Sequence, residues 1–234
     1  MIDLQNEFQN ETIPLHGDRG QEQPAPYRPK EWSIAISREA GSQGGSIGKR
    51  LGKRFNWRVY DRELLEYLCG NPVAREEVLA DIPTEANHWI EERLHQLKHN
   101  QLLAPEADQG EMPRLVLALA ARGGVIFVGA GAGFYLPRDT SLHVRICAPL
   151  EERITYMGQL LRQSPEEALQ SLRQRDQRRT QYLQQQFGAR ALDPSEFDLT
   201  INSNQFGEEG TTELIIVAFH QKQAQWEEDS SDTD

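Results

Sequence analysis

The stretch Ser37-Arg38-Glu39-Ala40-Gly41-Ser42-Gln43-Gly44-Gly45-Ser46 constrains the fold more than any other, because it joins a short apolar run to an amphipathic helix. Ser33-Ile34-Ala35-Ile36 reads as a buried strand. Beyond the glycines, Ile47, Leu51 and Phe55 recur at helical spacing, with Lys49, Arg50, Lys53 and Arg54 elsewhere on the surface. A strand, a glycine turn and a helix start let backbone N–H groups converge on a phosphate, and the positive helix end adds to them. An ordinary glycine-rich turn is the competing reading, and these residues alone leave both open.

Further strand and helix signals follow. Asp61 precedes Leu64, Leu65 and Leu68 and reads as a helix N-cap. Helices are predicted over 84–103 and 113–122, the latter with Pro113 in its first turn and Gly123 after its end. Strands are predicted over 124–128, 142–147 and 197–201. One helix runs from 149 to about 162, and Ser164-Pro165-Glu166-Glu167 starts another that Gly188 closes. A last helix passes through Leu214 to Phe219. Strands separated by helices imply an α/β fold, its parallel sheet covered on both faces. Residues 1–30 are polar and proline-rich and are expected to be disordered, leaving one domain over 31–221. Residues 222–234, ending in EEDSSDTD, are expected to form a disordered acidic tail.

The net charge of −11 argues against an open nucleic-acid surface, which needs clustered cations. The basic side is local: Arg173, Arg175, Arg178 and Arg179 crowd one stretch with only Asp176 among them. Such a cluster fits an anionic ligand. A solvated helix face paired with Glu166 and Glu167 is the alternative. No apolar run approaches the roughly 18 residues that a membrane span requires. The first twenty residues lack the basic start and apolar stretch of a secretory signal. Cys69 and Cys147 read as buried thiols in a reducing compartment, so the cytoplasm is the expected location.

IAISREAGSQGGSIGKRL, VYDRELL, VIFVGAG, APLEERI, RDQRRTQYL and FDLTINS, in that order from about 32 to 219, resemble the cytidylate kinase-like family of P-loop nucleoside monophosphate kinases. The resemblance implies a P-loop NTPase-type parallel sheet of about five strands flanked by helices, with an Arg-bearing helical lid. It implies transfer of the ATP γ-phosphoryl, with Mg2+, to a nucleoside monophosphate such as CMP or dCMP. By position, Gly41, Ser42, Gln43, Gly44, Gly45 and Ser46 would wrap the donor phosphates, the Ser46 hydroxyl lying where a magnesium ligand is expected. Asp61, Gly129 and Gly131 would lie on the acceptor side. Arg153, Arg175, Arg178 and Arg179 would act on the transferring group. Simple capping by Asp61 and an ion-paired surface role for Arg153 are the alternatives.

Two departures stand out. In the G-K-G-[ST] register Gly44 falls at the lysine, and Arg38 at the strand end is the candidate substitute cation. Where the resemblance calls for an arginine after Gly129, this chain has Ala130. A nucleotide-binding sensor or scaffold without phosphoryl transfer is therefore the rival expectation. A kinase for another small phosphorylated or hydroxylated acceptor is a third. The oligomeric state is not legible.

Other signals are discounted. Phe134 stands where a dinucleotide fingerprint starting at Gly129 needs its third glycine. His88, Glu92, His95 and His99 share a helical face but lack the H-E-x-x-H order, and read as a wet polar surface. Trp57, Trp89 and Trp226 read as core or surface aromatics.

Overall fold

The computed structural model describes residues 27, 29, 31–80, 82–105, 107 and 110–231. Its sheet is built outward from β1 (Ser33–Arg38), whose Ile34, Ala35 and Ile36 are shut off from solvent. The other strands are β2 (Arg58–Asp61), β3 (Val125–Val128), β4 (Ser141–Cys147) and β5 (Leu199–Asn202). All pairings are parallel, in the order β2-β3-β1-β4-β5. Ile36 stands opposite Val128 on one side and Val144 on the other. The segment leaving β1 thus emerges where connections diverge to opposite sides, the crevice in which such sheets hold ligands.

Alternation along the strands sorts the two faces. Ile34, Ile36, Ile126, Val128, Val144 and Ile146 pack on α1 (Gly44–Phe55) and α9 (Ser203–Ser231) through Ile47, Leu51, Ile215 and Phe219. Ala35, Tyr60 and Phe127 face the opposite layer. Its helices are α2 (Arg62–Gly70), α3 (Pro72–Leu79), α4 (Ala86–His99), α5 (Glu111–Arg122) and α6 (Ala132–Tyr135). Next to the loop after β1 lie α7 (Leu150–Leu161) and α8 (Pro165–Phe187). The Ser164/Glu167 capping box starts α8 and Gly188 ends it, as the local signals predict.

Several expectations need correction. The tail expected from 222 is helical as far as Ser231; residues 232–234 lie outside the described residues. Lys222 Nζ donates to Asp198 at 2.6 Å and to the Ser141 carbonyl at 2.8 Å, and Trp226 packs edge-on against Trp32, so the helix has a face to bury. The segment 1–30 lies outside the described residues except for 27 and 29, and there Tyr27 is anchored by a 2.7 Å bond to the Ala121 carbonyl. Cys69 and Cys147 are free thiols but only half-buried. The helix expected over 84–103 is shorter, and β5 starts after Phe197 because Asp198 turns to accept the His143 N–H. The histidines of α4 are exposed, as expected of a polar face. Among the described residues no helix is long and apolar enough to cross a membrane.

Candidate functional site

The loop after β1 reaches α1 through Gln43, which adopts the left-handed conformation and offers no side-chain cap. The first-turn N–H groups of Gly44, Gly45 and Ser46 therefore lack helical acceptors, at the positive end of the helix dipole. Other segments hold the loop in shape. Ser42 is fully buried, with its hydroxyl 2.9 Å from the Glu39 carbonyl and 3.2 Å from that of Ile146. The Ser42 carbonyl accepts from Ser203 Oγ at 2.9 Å. The Ser42 hydroxyl is thus spent inside the fold, and the Ser42 N–H donates to the Glu39 carbonyl at 3.3 Å, so Ser42 shapes the loop.

Gly41 has φ of +79° and lies so close to α7 that an added Cβ would stand 2.9 Å from the Arg153 carbonyl oxygen. Gly41→Ala is expected to lower unfolding free energy by about 2 kcal/mol, read from urea denaturation.

Arg38 lies between two glycines. Its stem passes 2.8 Å from where a Gly44 Cβ would stand, and its Nη1 lies 3.1 Å from the corresponding point on Gly129. A lysine at 44 and this arginine would compete for the same space. Among the described residues Arg38 forms no hydrogen bond or ion pair. Burial lowers its pKa, opposed by the more distant charges of Asp61 and Glu63. Arg179 approaches from α8, its pKa lowered to about 10 chiefly by burial and next by repulsion from Arg38, with Asp176 opposing.

Asp176 ties α8 to the loop. Its Oδ1 accepts from the Ala40 N–H at 2.8 Å and from Arg179 Nη1 at 3.0 Å, and its Oδ2 from Arg153 Nη1 at 2.6 Å. Arg153 also donates to the Ala40 carbonyl at 3.1 Å, while its buried Nε sits 3.7 Å from Glu39 with no hydrogen bond. Arg153 is thus engaged with the loop and with Asp176. Asp176→Asn keeps an acceptor for Ala40 but removes the charge facing two guanidinium groups. It is expected to cost about 1–2 kcal/mol in urea denaturation and to raise amide exchange across 39–42.

The remaining expected residues divide. Asp61 caps α2 by accepting the Leu64 N–H at 2.9 Å, and from there it also faces Arg38. Arg175 and Arg178 are exposed on α8. The alternative pairing of α8 arginines with Glu166 and Glu167 does not form among the described residues; Glu167 closes the capping box instead. Gly131 owes its lack of a side chain to α8, since a Cβ there would meet Phe187 at 2.5 Å. Ala130 is buried at φ of +55°, and its carbonyl accepts from the Tyr182 hydroxyl at 3.3 Å. Arg62, which the sequence reading did not single out, holds its guanidinium 4.8 Å over the Tyr182 ring. Its position beside Asp61 was the only available signal.

The Ser46 hydroxyl forms no hydrogen bond among the described residues and opens the first turn of α1. No cluster of three His, Cys, Asp or Glu there could cage a metal on its own. This donor set suits magnesium held mainly by nucleotide phosphates and water, with one protein hydroxyl.

A family model described as "Cytidylate kinase-like family" matches residues 33–205, well over half of the chain. The crystal structure of an uncharacterized protein from Eubacterium ventriosum ATCC 27560 is similar at TM-score 0.54 and 19% identity, covering 82% of this chain and 99% of that one. A shikimate kinase from Bacteroides thetaiotaomicron gives TM-score 0.42 and 14% identity over 81% of this chain and 98% of that one. A gluconokinase from Sinorhizobium meliloti 1021 gives TM-score 0.42 and 14% identity over 83% and 97%. The first likeness shows the fold; the other two are too distant to carry an argument. No curated protein sequence matches the chain.

Proposed function

We propose, since the chain belongs to the cytidylate kinase-like family, that it transfers the γ-phosphoryl of ATP to a nucleoside monophosphate, CMP or dCMP. The observation that supports this most is Arg38: a partly buried guanidinium that forms no hydrogen bond or ion pair among the described residues, beside the glycine loop. A cation left in that state costs free energy, and an anion that binds there recovers it.

In this reading the backbone of residues 41–46 holds the donor phosphates. Arg38 takes the part of the missing lysine, its aliphatic stem filling the space that a side chain at 44 would need and its guanidinium lying by Gly129. Arg179 neutralises charge on the transferring group, held in direction by Asp176. Asp61 stands on the acceptor side. The Ser46 hydroxyl is the ligand offered to magnesium, which when bound neutralises phosphate charge. Ser42 and Arg153 keep the loop in shape, and Arg175 and Arg178 stay outside the assignment. The protein would work in the cytoplasm, where its free thiols stay reduced.

A coupled ADP-release assay with Mg-ATP and each common monophosphate tests the reading. Release above the no-acceptor rate with CMP or dCMP is the expected result. Ala130 favours the second reading, a nucleotide-binding module without transfer. For that module the assay stays at background with every acceptor, while Mg-ATP still raises the melting temperature.

A further inference from the structure

We infer that the Asp176 carboxylate is an internal anion that competes with the donor phosphates: it holds Arg179 in the free protein and gives that guanidinium up when a polyphosphate enters the loop. The inference deepens the kinase reading and rests on it for the ligand, a nucleoside triphosphate on residues 41–46.

The carboxylate is placed as a bound anion would be. One oxygen accepts the Ala40 N–H, from the loop itself, at 2.8 Å and Arg179 Nη1 at 3.0 Å; the other accepts Arg153 Nη1 at 2.6 Å. A backbone donor and two guanidinium groups around a pair of oxygens form a donor set that also suits a phosphate. The two arginines are not held alike. The Arg153 side chain is 12% exposed, gives a second bond to the Ala40 carbonyl at 3.1 Å and has Glu39 at 3.7 Å. The Arg179 side chain is 27% exposed, and Asp176 is its one hydrogen-bonded partner among the described residues. Arg153 therefore keeps Asp176 neutralised when Arg179 leaves. In the free protein Asp176 aims Arg179 at the loop; once phosphates arrive, they take over that task.

Charge supplies the drive. Burial lowers the pKa of Arg179, and repulsion from Arg38 and Arg62 lowers it further, with Asp176 opposing. One carboxylate shared between two guanidinium groups leaves cation in excess. A triphosphate brings several negative charges to a place where Asp176 brings one. A contact made only in the free protein must be broken on binding, so it weakens the measured affinity. The competing account is a staple, in which Asp176 fixes α8 to the loop in free and bound protein alike. The two differ in sign: loosening a staple weakens binding, and removing a competitor strengthens it.

The test is a calorimetric cycle with Mg-ATP and inorganic tripolyphosphate on wild type, Asp176→Asn, Arg179→Ala and the double variant. Asp176→Asn is expected to bind both ligands about three- to tenfold more tightly than wild type, although it is the less stable protein. Arg179→Ala should bind them more weakly. In that background Asp176→Asn should change affinity by less than about twofold, because the competitor acts through Arg179. Nitrogen-15 spectra of the arginine side chains follow the exchange with Asp176 intact. On adding tripolyphosphate the Arg179 signal, identified by its loss in Arg179→Ala, should shift while that of Arg153 stays. Weaker or unchanged binding by Asp176→Asn overturns the inference and leaves the staple. A gain of equal size in the Arg179→Ala background overturns it as well, as does an Arg179 signal that ignores the ligand. If the exchange appears but wild type transfers no phosphoryl group to any monophosphate, the competitor stands and the kinase reading falls. If wild type binds neither ligand, both fall.

Discussion

Arg38→Ala is expected to lower the rate of γ-phosphoryl transfer about 1000-fold while leaving the folded protein as stable as wild type or more so. The two halves of the prediction come from one fact. The guanidinium is partly buried and forms no hydrogen bond or ion pair among the described residues, with Asp61 and Glu63 acting only at a distance. In the free protein it is a cost, so truncation relieves it. On the proposed reading its stem lies against Gly44 and its Nη1 by Gly129, between donor and acceptor, so truncation would remove neutralisation where charge moves. Single-turnover rates and urea midpoints on the same preparations check both halves. A variant that loses stability and rate together would mark Arg38 as a structural residue.

The second large effect is on stability and appears with pH. His143 is 4% exposed on β4, with Nε2 3.0 Å from Ser37 Oγ and Nδ1 3.1 Å from the Glu196 carbonyl. A carbonyl only accepts, so Nδ1 carries the proton and Nε2 receives the serine hydroxyl. Burial pushes the pKa of His143 down to about 4, against the opposing charge of Asp198. In the unfolded chain the same group takes up a proton near 6.5. The unfolded state therefore binds more protons as pH falls from about 6.5 to about 4. Stability is full above that window and declines through it, by about 3 kcal/mol for this group. Urea unfolding across the window measures the slope. The His143→Gln protein should show a slope shallower by that share, with the remainder due to carboxylates. Parallel slopes for the two proteins would contradict the assignment.

What the sequence made legible was local. The β1–loop–α1 unit, the Asp61 cap and the capping box of α8 depend on residues within a few positions of one another, and all appear where predicted. The parallel sheet followed from the alternation of strand and helix signals. The tie of Asp176 to Ala40 was not legible, because it spans 136 residues and rests on how far α8 leans over the loop. Four arginines on one stretch looked alike in sequence, yet the lean of that helix brings Arg179 to the site and leaves Arg175 and Arg178 in water. The stacking of Arg62 on Tyr182 was not legible either, because it joins α2 to α8 across 120 residues of sequence. The acidic ending concealed the helix over 222–231, since its anchors, Lys222 and Trp226, find their partners at Asp198 and Trp32 on distant segments.

Phosphorus NMR of Mg-ATP and CMP with the protein tests the central claim most directly, because it separates transfer from hydrolysis. The account predicts that CDP and ADP resonances grow together, one for one, with wild type and stay absent with Arg179→Ala. An unchanged ATP spectrum, or ADP appearing with inorganic phosphate and no CDP, would contradict it.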